Sequence, residues 1–230
     1  MESGAAELNI VLPEAAKEKF RTYFSLLEEK NKLMNLTAIS GEDDVTRLHF
    51  LDSLALLAIH DFRGARVADI GTGAGFPGLP VLIAEPTVRL TLIDSLGKRV
   101  DFLRQVTAAL GLSADCLHAR AEEAAKEPDL RESFDIAVSR AVARLNVLCE
   151  LCMPFVESGG VFIAMKSAAS DEEMLEAERA AELLGGTKPE KYDYKIPGTD
   201  IVHRAVVVRK ISVTPKEYPR RFAKIFKSPL

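Results

Sequence analysis

Cysteine is scarce in this 230-residue chain, and long apolar runs are absent from it. The three cysteines are few and odd in number, which argues against a disulfide-stabilised fold and fits a reducing cytoplasm. No apolar run approaches the length of a membrane span, and charged residues are scattered through residues 1–20. We therefore predict neither a transmembrane helix nor a signal peptide, and we expect a cytoplasmic protein.

Residues with the spacing of metal ligands are also missing, so the sequence predicts no metal site. The four histidines, which form no ligand-spaced pair, are His49, His60, His118 and His203. Cys149 and Cys152 form a C-x-x-C pair, but they lie within an amphipathic segment and not at a helix start, where a thiol pKa is lowered. We interpret these two cysteines as small buried hydrophobic residues.

Charge is distributed unevenly. The formal net charge is −4, yet the segment from Arg204 to Lys227 contains eight basic residues and a single acid, Glu217. Such asymmetry indicates either a surface that binds a polyanion or a solvated segment that aids solubility, and composition does not separate the two.

Predicted strands alternate with helices from residue 66 onward. The strands are expected near 66–70, 89–93, 115–118, 134–138, 160–165, 191–195 and 203–210. The helices are expected near 13–34, 44–59, 79–84, 97–110, 121–126, 141–152 and 171–184. This alternation is typical of a doubly wound α/β sheet with seven mostly parallel strands. The link between the last two strands is too short for a crossover helix, so the last strand should be antiparallel.

The most informative segment is an apolar run that ends at Ile70 and is followed by Gly71, Gly73 and Gly75. Glycine lets the backbone turn sharply and approach a ligand without a Cβ atom in the way. A second apolar run ends at Asp94, where a carboxylate can accept hydrogen bonds from ribose hydroxyls. The combination predicts a nucleoside-containing cofactor in a Rossmann-like site.

The segment from Gly73 to Gly78 also matches the dinucleotide fingerprint, so a dehydrogenase is an alternative. Two prolines flank Gly78, however, where a dinucleotide site needs a regular helix start with N–H groups facing a pyrophosphate. Asp69 would repel that pyrophosphate, whereas it suits a sulfonium or an ammonium. S-adenosylmethionine, which has no phosphate, fits this loop better than NAD, and a titration with the two cofactors separates the alternatives.

Further polar residues follow the strands at the edge where open α/β sheets bind ligands. Ala121 and Glu122 follow the third strand, where an adenine ring would lie, although Glu122 is equally a carboxylate at a helix start. Arg140 ends the fourth strand and is placed to meet a carboxylate or a phosphate. Lys166 ends the fifth strand on the same rim.

Together these residues resemble one family closely: the bacterial 16S ribosomal RNA guanine-N7 methyltransferases, also called the glucose-inhibited division protein B family. The matching segments are Asn31–Thr37, His49–Ser53, Asp69–Gly78, Asp94–Arg99 with Phe102 and Leu103, Ser139–Ala141, and Thr214–Lys216 with Tyr218–Arg220. The glycine loop alone is generic, whereas the Leu-Asp-Ser and Asp-Ser-Leu-x-Lys-Arg segments in this order are specific. One departure is Leu48, which stands where members often carry Arg or Lys, with Arg47 one place earlier.

The resemblance implies a class I methyltransferase fold that binds S-adenosylmethionine and has an N-terminal helical extension. The expected division is a helical extension at 1–60, a Rossmann-like domain at 61–212 and a basic tail at 213–230, all in a single compact domain. The cofactor contacts that the resemblance implies are Gly71, Phe76, Ala121, Glu122 and Arg140. The loop residues Gly73 and Gly75 and the ribose ligand Asp94 complete the expected cofactor site.

The family's reaction needs no dedicated base, because guanine N7 has a free lone pair and no proton to lose. We therefore assign no catalytic base and expect positioning to dominate, with Arg140 and Lys166 as candidates near the reacting atoms. The expected partner is 16S ribosomal RNA or the small ribosomal particle. The residues expected to hold it are Lys98, Arg99, Lys166, Lys216, Arg220, Arg221 and Lys224. A silent RNA-binding protein, which would show no methyl transfer, is the remaining alternative.

Overall fold

The computed structural model describes residues 1–140 and 142–230. Its centre is a seven-stranded sheet. The strands are β1 (Arg66–Ile70), β2 (Arg89–Asp94), β3 (Ala114–His118), β4 (Phe134–Arg140), β5 (Val156–Ser167), β6 (Glu190–Lys195) and β7 (Val202–Arg209). They lie in the order β3-β2-β1-β4-β5-β7-β6. Strands β1 to β5 run parallel to one another, and β7 is antiparallel to both β5 and β6. The predicted sheet with an antiparallel last strand is confirmed.

Helices precede the sheet and connect its strands. Before β1 lie α1 (Glu2–Glu7), α2 (Ala16–Met34), α3 (Glu42–Val45), a π-helical segment (Thr46–Leu51) and α4 (Asp52–Ile59). After β1 come α5 (Gly78–Ala84), α6 (Gly97–Leu110), α7 (Ala121–Ala124), α8 (Leu145–Cys152), a 3₁₀ turn (Met153–Phe155), α9 (Asp171–Leu183) and α10 (Phe222–Lys227). Among the described residues, no helix is long and apolar enough to cross a bilayer.

The sheet separates two hydrophobic clusters, because successive side chains of a strand point to opposite faces. Val67 belongs to the cluster beneath α2, α5 and α6, whereas Ala68 belongs to the cluster beneath α8 and α9. The same alternation runs through β4, β5 and β7. Both faces of the sheet are thus covered by helices, as a mostly parallel sheet requires.

Some helix bounds differ from the sequence predictions. The helix expected from residue 13 begins at Ala16, because the Pro13 carbonyl first accepts a turn hydrogen bond from the Ala16 N–H at 2.9 Å. The helix expected from residue 141 begins at Leu145, after Arg144 with extended backbone angles. Residue 141 itself, and with it the last position of the Ser139–Ala141 segment, lies outside the described residues.

Two further differences affect the site. The helix expected over 44–59 contains the π-helical segment Thr46–Leu51, a form that often occurs at functional sites. Residues 222–227, expected within a basic tail, form α10, whose Ile225 is fully buried. Charge counting overlooked this helix because it weighed the lysines and arginines of the segment and not the spacing of Phe222, Ile225 and Phe226.

The thiols provide a direct test of the fold. Cys149 and Cys152 are fully buried in α8, and burial raises the pKa of Cys149 to about 12 and the pKa of Cys152 well above its usual value. We expect an aromatic disulfide reagent to label only the half-buried Cys116 in the native protein, because the thiolate is the reactive form. The native Cys116→Ser variant should not react until denaturant is added. Fast native labelling of a second thiol would contradict this arrangement.

Candidate active site

The glycine loop turns directly after β1. Gly71, Gly73 and Gly75 have φ angles of 69°, 61° and 105°, a region that side chains other than glycine rarely adopt. A Cβ atom built on Gly73 would have only the Gly71 carbonyl oxygen nearby, at 4.0 Å, so Gly73 borders open space. A Cβ atom on Gly75 would lie 2.5 Å from the Tyr23 hydroxyl, so this glycine allows close packing behind the loop.

Two buried side chains, Tyr23 and Asp69, hold the loop from the protein interior. Tyr23 of α2 donates its hydroxyl proton to the Ala74 carbonyl at 2.5 Å. Asp69 of β1 accepts hydrogen bonds through Oδ2 from the Thr72 hydroxyl and the Gly78 N–H, both at 2.8 Å. The N-terminal helix therefore supports the loop from behind, while Asp69 closes it at its base.

Asp94 holds the loop from the neighbouring strand. Its carboxylate is 3% exposed and accepts hydrogen bonds from the Gly73 N–H at 3.0 Å and the Leu96 N–H at 2.9 Å. Arg99 lies at 3.5 Å, which makes a weak ion pair. A carboxylate offers about four lone-pair positions, so Asp94 keeps acceptor capacity for hydroxyl groups after it has bound the loop.

Two adjoining hollows open at this edge of the sheet. The wide hollow, about 410 Å³, is lined by Leu36, Thr37, His49, Gly71, Thr72, Gly73, Ala74, Phe76, Asp94, Ser95, Arg99, Arg140 and Val142. The narrow hollow, about 100 Å³, is lined by Ile70, Gly71, Ile93, Asp94, Ser95, Ala119, Arg120, Ala121, Glu122, Val142, Leu151, Phe222 and Phe226. A larger open concavity lies around the starts of the strands, away from the glycine loop and Asp94. Because Gly71 and Asp94 line both adjoining hollows, we place the candidate site there.

A hydrogen-bond cluster centred on Asp52 holds Arg140 at the edge of the wide hollow. The buried Asp52 carboxylate accepts from Arg140 at 3.1 Å, from the Tyr194 hydroxyl at 2.8 Å and from His203 Nδ1 at 2.9 Å. The Arg140 guanidinium also lies 4.9 Å from the ring centroid of Phe76, within range of a cation–π interaction. Arg140 is thereby fixed from two sides and its charge is balanced by Asp52.

The ring of His49 is held through both of its nitrogens. The Arg140 guanidinium lies 2.9 Å and the Leu48 carbonyl 3.1 Å from Nδ1, and the Thr37 hydroxyl lies 2.7 Å from Nε2. Burial, and secondly the charge of Arg140, lower the pKa of His49 to about 3. His49 is therefore neutral at physiological pH, and both of its ring nitrogens are engaged. Its ring stacks on Phe76, with centroids 4.4 Å apart.

The structure brings most of the predicted cofactor residues together. Those on the wide hollow are Gly71, Gly73, Phe76, Asp94 and Arg140, and those on the narrow hollow include Ala121 and Glu122. Gly75 stands apart from both linings and packs against Tyr23 and Leu79. Arg47, next to the departure at Leu48, lies close to Gly198 in the turn between β6 and β7.

The predicted RNA-binding residues are spread over different environments. Arg99 lines the wide hollow, whereas Lys98, Lys216, Arg221 and Lys224 are exposed.

Two of the predicted RNA-binding residues, Lys166 and Arg220, form ion pairs with carboxylates of the protein. Lys166 is 11% exposed and donates to the Ala143 carbonyl at 2.5 Å and to Glu173 at 2.8 Å. Arg220 binds both carboxylate oxygens of the fully buried Glu150, with contacts from 2.6 to 3.1 Å. In this structure, Lys166 and Arg220 are engaged by the protein's own carboxylates.

Sequence reasoning missed several residues of the site. Thr37 and His49 lie within segments that carried the family resemblance, but no role had been given to them. Phe222 and Phe226 had a readable signal, because two aromatic residues four positions apart lie on one face of a helix. Asp52, by contrast, gives no signal of its partners, which are 88 to 151 residues away along the chain.

Asp69 tests whether the site fits a cationic cofactor. Its Oδ1 is the one buried side-chain oxygen or nitrogen without a hydrogen-bond partner among the described residues. Burial raises the pKa of Asp69 to about 6, which the hydrogen bonds from Thr72 and Gly78 only partly offset. This buried carboxylate at the base of the loop disfavours a pyrophosphate and suits a cofactor without phosphate groups. Asp69 lines neither hollow, whereas Asp94 lines both, so the residues present fit S-adenosylmethionine with Asp94 as the carboxylate placed to meet it.

The raised pKa of Asp69 predicts a pH-dependent difference in stability between the wild type and Asp69→Asn. A raised carboxyl pKa in the folded state contributes stability below the unfolded pKa, and that contribution is lost as the pH rises through about 6. Without cofactor, the two proteins should unfold alike at pH 4, and the variant should be more stable by roughly 2–3 kcal/mol at pH 7.5. Denaturant titrations at both pH values measure this. Equal free energies of unfolding at pH 7.5 would mean that burial does not raise the pKa of the Asp69 carboxyl group.

Comparison with known proteins decides the family. The sequence profile of the rRNA small subunit methyltransferase G family matches residues 16–196. The chain belongs to this family. Ribosomal RNA small subunit methyltransferase G of Clostridium beijerinckii is 44% identical over 232 residues, covering 100% of this chain and 97% of the relative. The protein of the same name from Lachnoclostridium phytofermentans is 46% identical, covering 99% of this chain and 95% of the relative.

Solved structures agree with the fold. A predicted O-methyltransferase from Agrobacterium tumefaciens has a TM-score of 0.55 and 23% identity, covering 71% of this chain and 80% of the other. A Burkholderia thailandensis 1,6-didemethyltoxoflavin-N1-methyltransferase, solved with S-adenosylhomocysteine, has a TM-score of 0.55 and 16% identity, covering 88% and 92%. The predicted class I methyltransferase fold is confirmed. Family membership also confirms the prediction of a ribosomal RNA methyltransferase that uses S-adenosylmethionine.

Proposed function

We propose that this protein transfers the methyl group of S-adenosylmethionine to N7 of one guanine in 16S ribosomal RNA. The N7 lone pair forms the new N–C bond while the methyl–sulfur bond breaks. The products are S-adenosylhomocysteine and a positively charged N7-methylguanine, and no proton is transferred. A ribosomal substrate places this proposed reaction in the cytoplasm.

The observation that carries the proposal is the state of His49. It is the one histidine that lines the wide hollow, and both of its nitrogens are engaged by Arg140 and Thr37. With its pKa near 3, it is not available as a general base at physiological pH. A nucleophile that must lose a proton would be served poorly here, whereas guanine N7 needs no base.

A neutral His49 also suits the product, N7-methylguanine, which carries a positive charge. A protonated histidine in the hollow would repel that charge, whereas neutral His49 does not. The carboxylates of Asp52 and Asp94 balance Arg140 and Arg99 beside it. We propose that the guanine enters the wide hollow through the part bordered by Leu36, so that catalysis rests on orientation of the base. Since helical RNA hides N7 in a narrow groove, the base must be unpaired or flipped out.

The RNA surface is proposed to consist mainly of exposed cations near the hollows. Lys98 lies in the first turn of α6, and Arg221 and Lys224 belong to the segment around α10, which borders the narrow hollow. Lys216 and Arg99 extend this set. We assign Lys166 and Arg220 a mainly structural contribution, because carboxylates of the protein already bind their charges.

Nucleoside analysis after a methylation assay tests the reaction. Small ribosomal particles lacking this modification, incubated with the protein and labelled S-adenosylmethionine, should gain about one N7-methylguanosine each. A short unstructured RNA with the target sequence should be a poor substrate, because few groups of a lone guanine can be read while N7 is left free. Label on an exocyclic nitrogen, on cytosine or on protein would overturn the N7 assignment.

Substitution of the exposed cations tests the RNA surface. The Lys98→Gln, Arg221→Gln and Lys224→Gln variants combined should methylate more slowly, with a weaker dependence on salt, because fewer phosphates are contacted. Lys188→Gln, which changes an exposed lysine paired with Glu178, is the matched control and should behave as the wild type. A triple variant with wild-type rates across salt concentrations would exclude this surface.

A further inference from the structure

The narrow hollow is closed on one side by the C-terminal helix. Phe222 and Phe226 of α10 line it together with residues that follow β2 and β3. Their ring centroids are 4.4 Å apart, and the two residues are 42% and 44% exposed. A pair of half-exposed aromatic rings facing a hollow is the kind of surface on which a planar base can stack.

The helix that carries these rings is fixed to the protein. Ile225, between the two phenylalanines, is fully buried in the hydrophobic cluster beneath α8 and α9. Just before the helix, Arg220 binds the buried Glu150, and Arg131 donates to the Tyr218 carbonyl at 2.9 Å. The rings therefore border the hollow because the segment is anchored there.

Arg120, in the segment between β3 and α7, stacks on the ring of Phe222. Arg120 places its guanidinium carbon 3.8 Å from the Phe222 centroid, and its Nε donates to Glu122 at 2.6 Å. Glu122 and the ring thus lie on either side of one arginine, beside a hollow continuous with the one that Asp94 borders. A ribose on Asp94 leaves the adenine of the same nucleoside within reach of this hollow.

We propose that Phe222 and Phe226 form the adenine-binding wall of the cofactor site. The C-terminal segment, expected from its charge to contact RNA only, then contributes to cofactor affinity as well. The inference rests on the proposed placement of adenosine beside Asp94.

Calorimetric titration tests the proposal with two ligands: S-adenosylhomocysteine and 5′-methylthioadenosine, which lacks the amino-acid group. Phe222→Ala and Phe226→Ala should each weaken both ligands by roughly tenfold, as loss of a base-stacking contact does. Phe222→Tyr, which retains the ring, should bind as the wild type does. Val213→Ala, which shortens an exposed apolar residue of the same segment, is the matched control and should leave both affinities unchanged.

The possible results distinguish a failure of the aromatic wall from a failure of the proposed position of the cofactor. Wild-type affinity in both alanine variants, while Asp94→Asn binds weakly, would overturn the aromatic wall and leave the placement intact. Wild-type affinity in all three variants would overturn the placement as well. A loss for S-adenosylhomocysteine alone would put the rings beside the amino-acid group and would also overturn the proposal. Thermal unfolding without ligand should be unchanged in Phe222→Ala, since its ring is already half exposed.

Discussion

The Asp94→Asn protein is expected to bind S-adenosylhomocysteine at least tenfold more weakly than the wild type. Asp94 is proposed to bind the ribose, and hydrogen bonds to a charged group contribute about 1.5–3 kcal/mol each. The amide nitrogen of asparagine cannot accept from the N–H groups of Gly73 or Leu96, so the loop loses an anchor at the same time. Isothermal titration measures the combined effect.

A neighbouring carboxylate provides the matched control. Asp101 lies on α6 with its side chain 67% exposed and pairs with Arg104 at 3.3 Å. Asp101→Asn makes the same chemical change without touching the loop, so its affinity should match the wild type. Wild-type affinity in Asp94→Asn would remove Asp94 from the cofactor site.

Arg220→Ala is expected to lower the free energy of unfolding by about 3–5 kcal/mol, because removing one partner of a buried ion pair leaves the other charge uncompensated. Glu150 is fully buried, and Arg220 binds it through its guanidinium and through its backbone N–H at 2.8 Å. Denaturant unfolding followed by circular dichroism measures the loss. The cofactor affinity should fall as well, since Arg220 helps to anchor α10.

An exposed pair of the same chemistry sets the scale for this prediction. Arg209 and Glu190 lie 3.7 Å apart with side chains 48% and 47% exposed. Arg209→Ala should change the free energy of unfolding by no more than about 1 kcal/mol, as is usual for surface ion pairs. Similar losses in the two variants would show that burial of Glu150 adds nothing to the Arg220 interaction.

The sheet could be predicted from the sequence because its signals are local. Most strands contain a short apolar run bounded by turn residues, with the mostly charged β6 as the exception, and the link before β7 is too short to allow a parallel neighbour. Helix starts were predicted less well, as at Leu145, because a helix start depends on how the preceding loop packs. The π-helical segment Thr46–Leu51 has the same apolar pattern as a regular helix, so its hydrogen-bonding register could not be read from the pattern.

The residues of the candidate site were likewise predictable only where their signals are local in the sequence. Gly71, Gly73 and Asp94 could be identified because glycine spacing and a strand-end carboxylate are signals within 25 residues. The environment of Arg140 could not be derived, because its partners His49 and Asp52 come from the N-terminal helices. Charge counting likewise grouped Arg220 with Lys224, although the first binds a buried carboxylate and the second is exposed.

The position of Asp52 has a consequence for the order of folding. Its partners Tyr194 and His203 lie 142 and 151 residues further along the chain, so these contacts close loops that span more than half of the chain. Loop closure costs more entropy as the loop lengthens, and distant contacts tend to form slowly. The glycine loop and the first four strands can associate before this happens. The cluster that holds Arg140 at the edge of the wide hollow is complete only when the β6–β7 hairpin has docked, so a growing chain acquires the glycine loop well before Arg140 is fixed beside it.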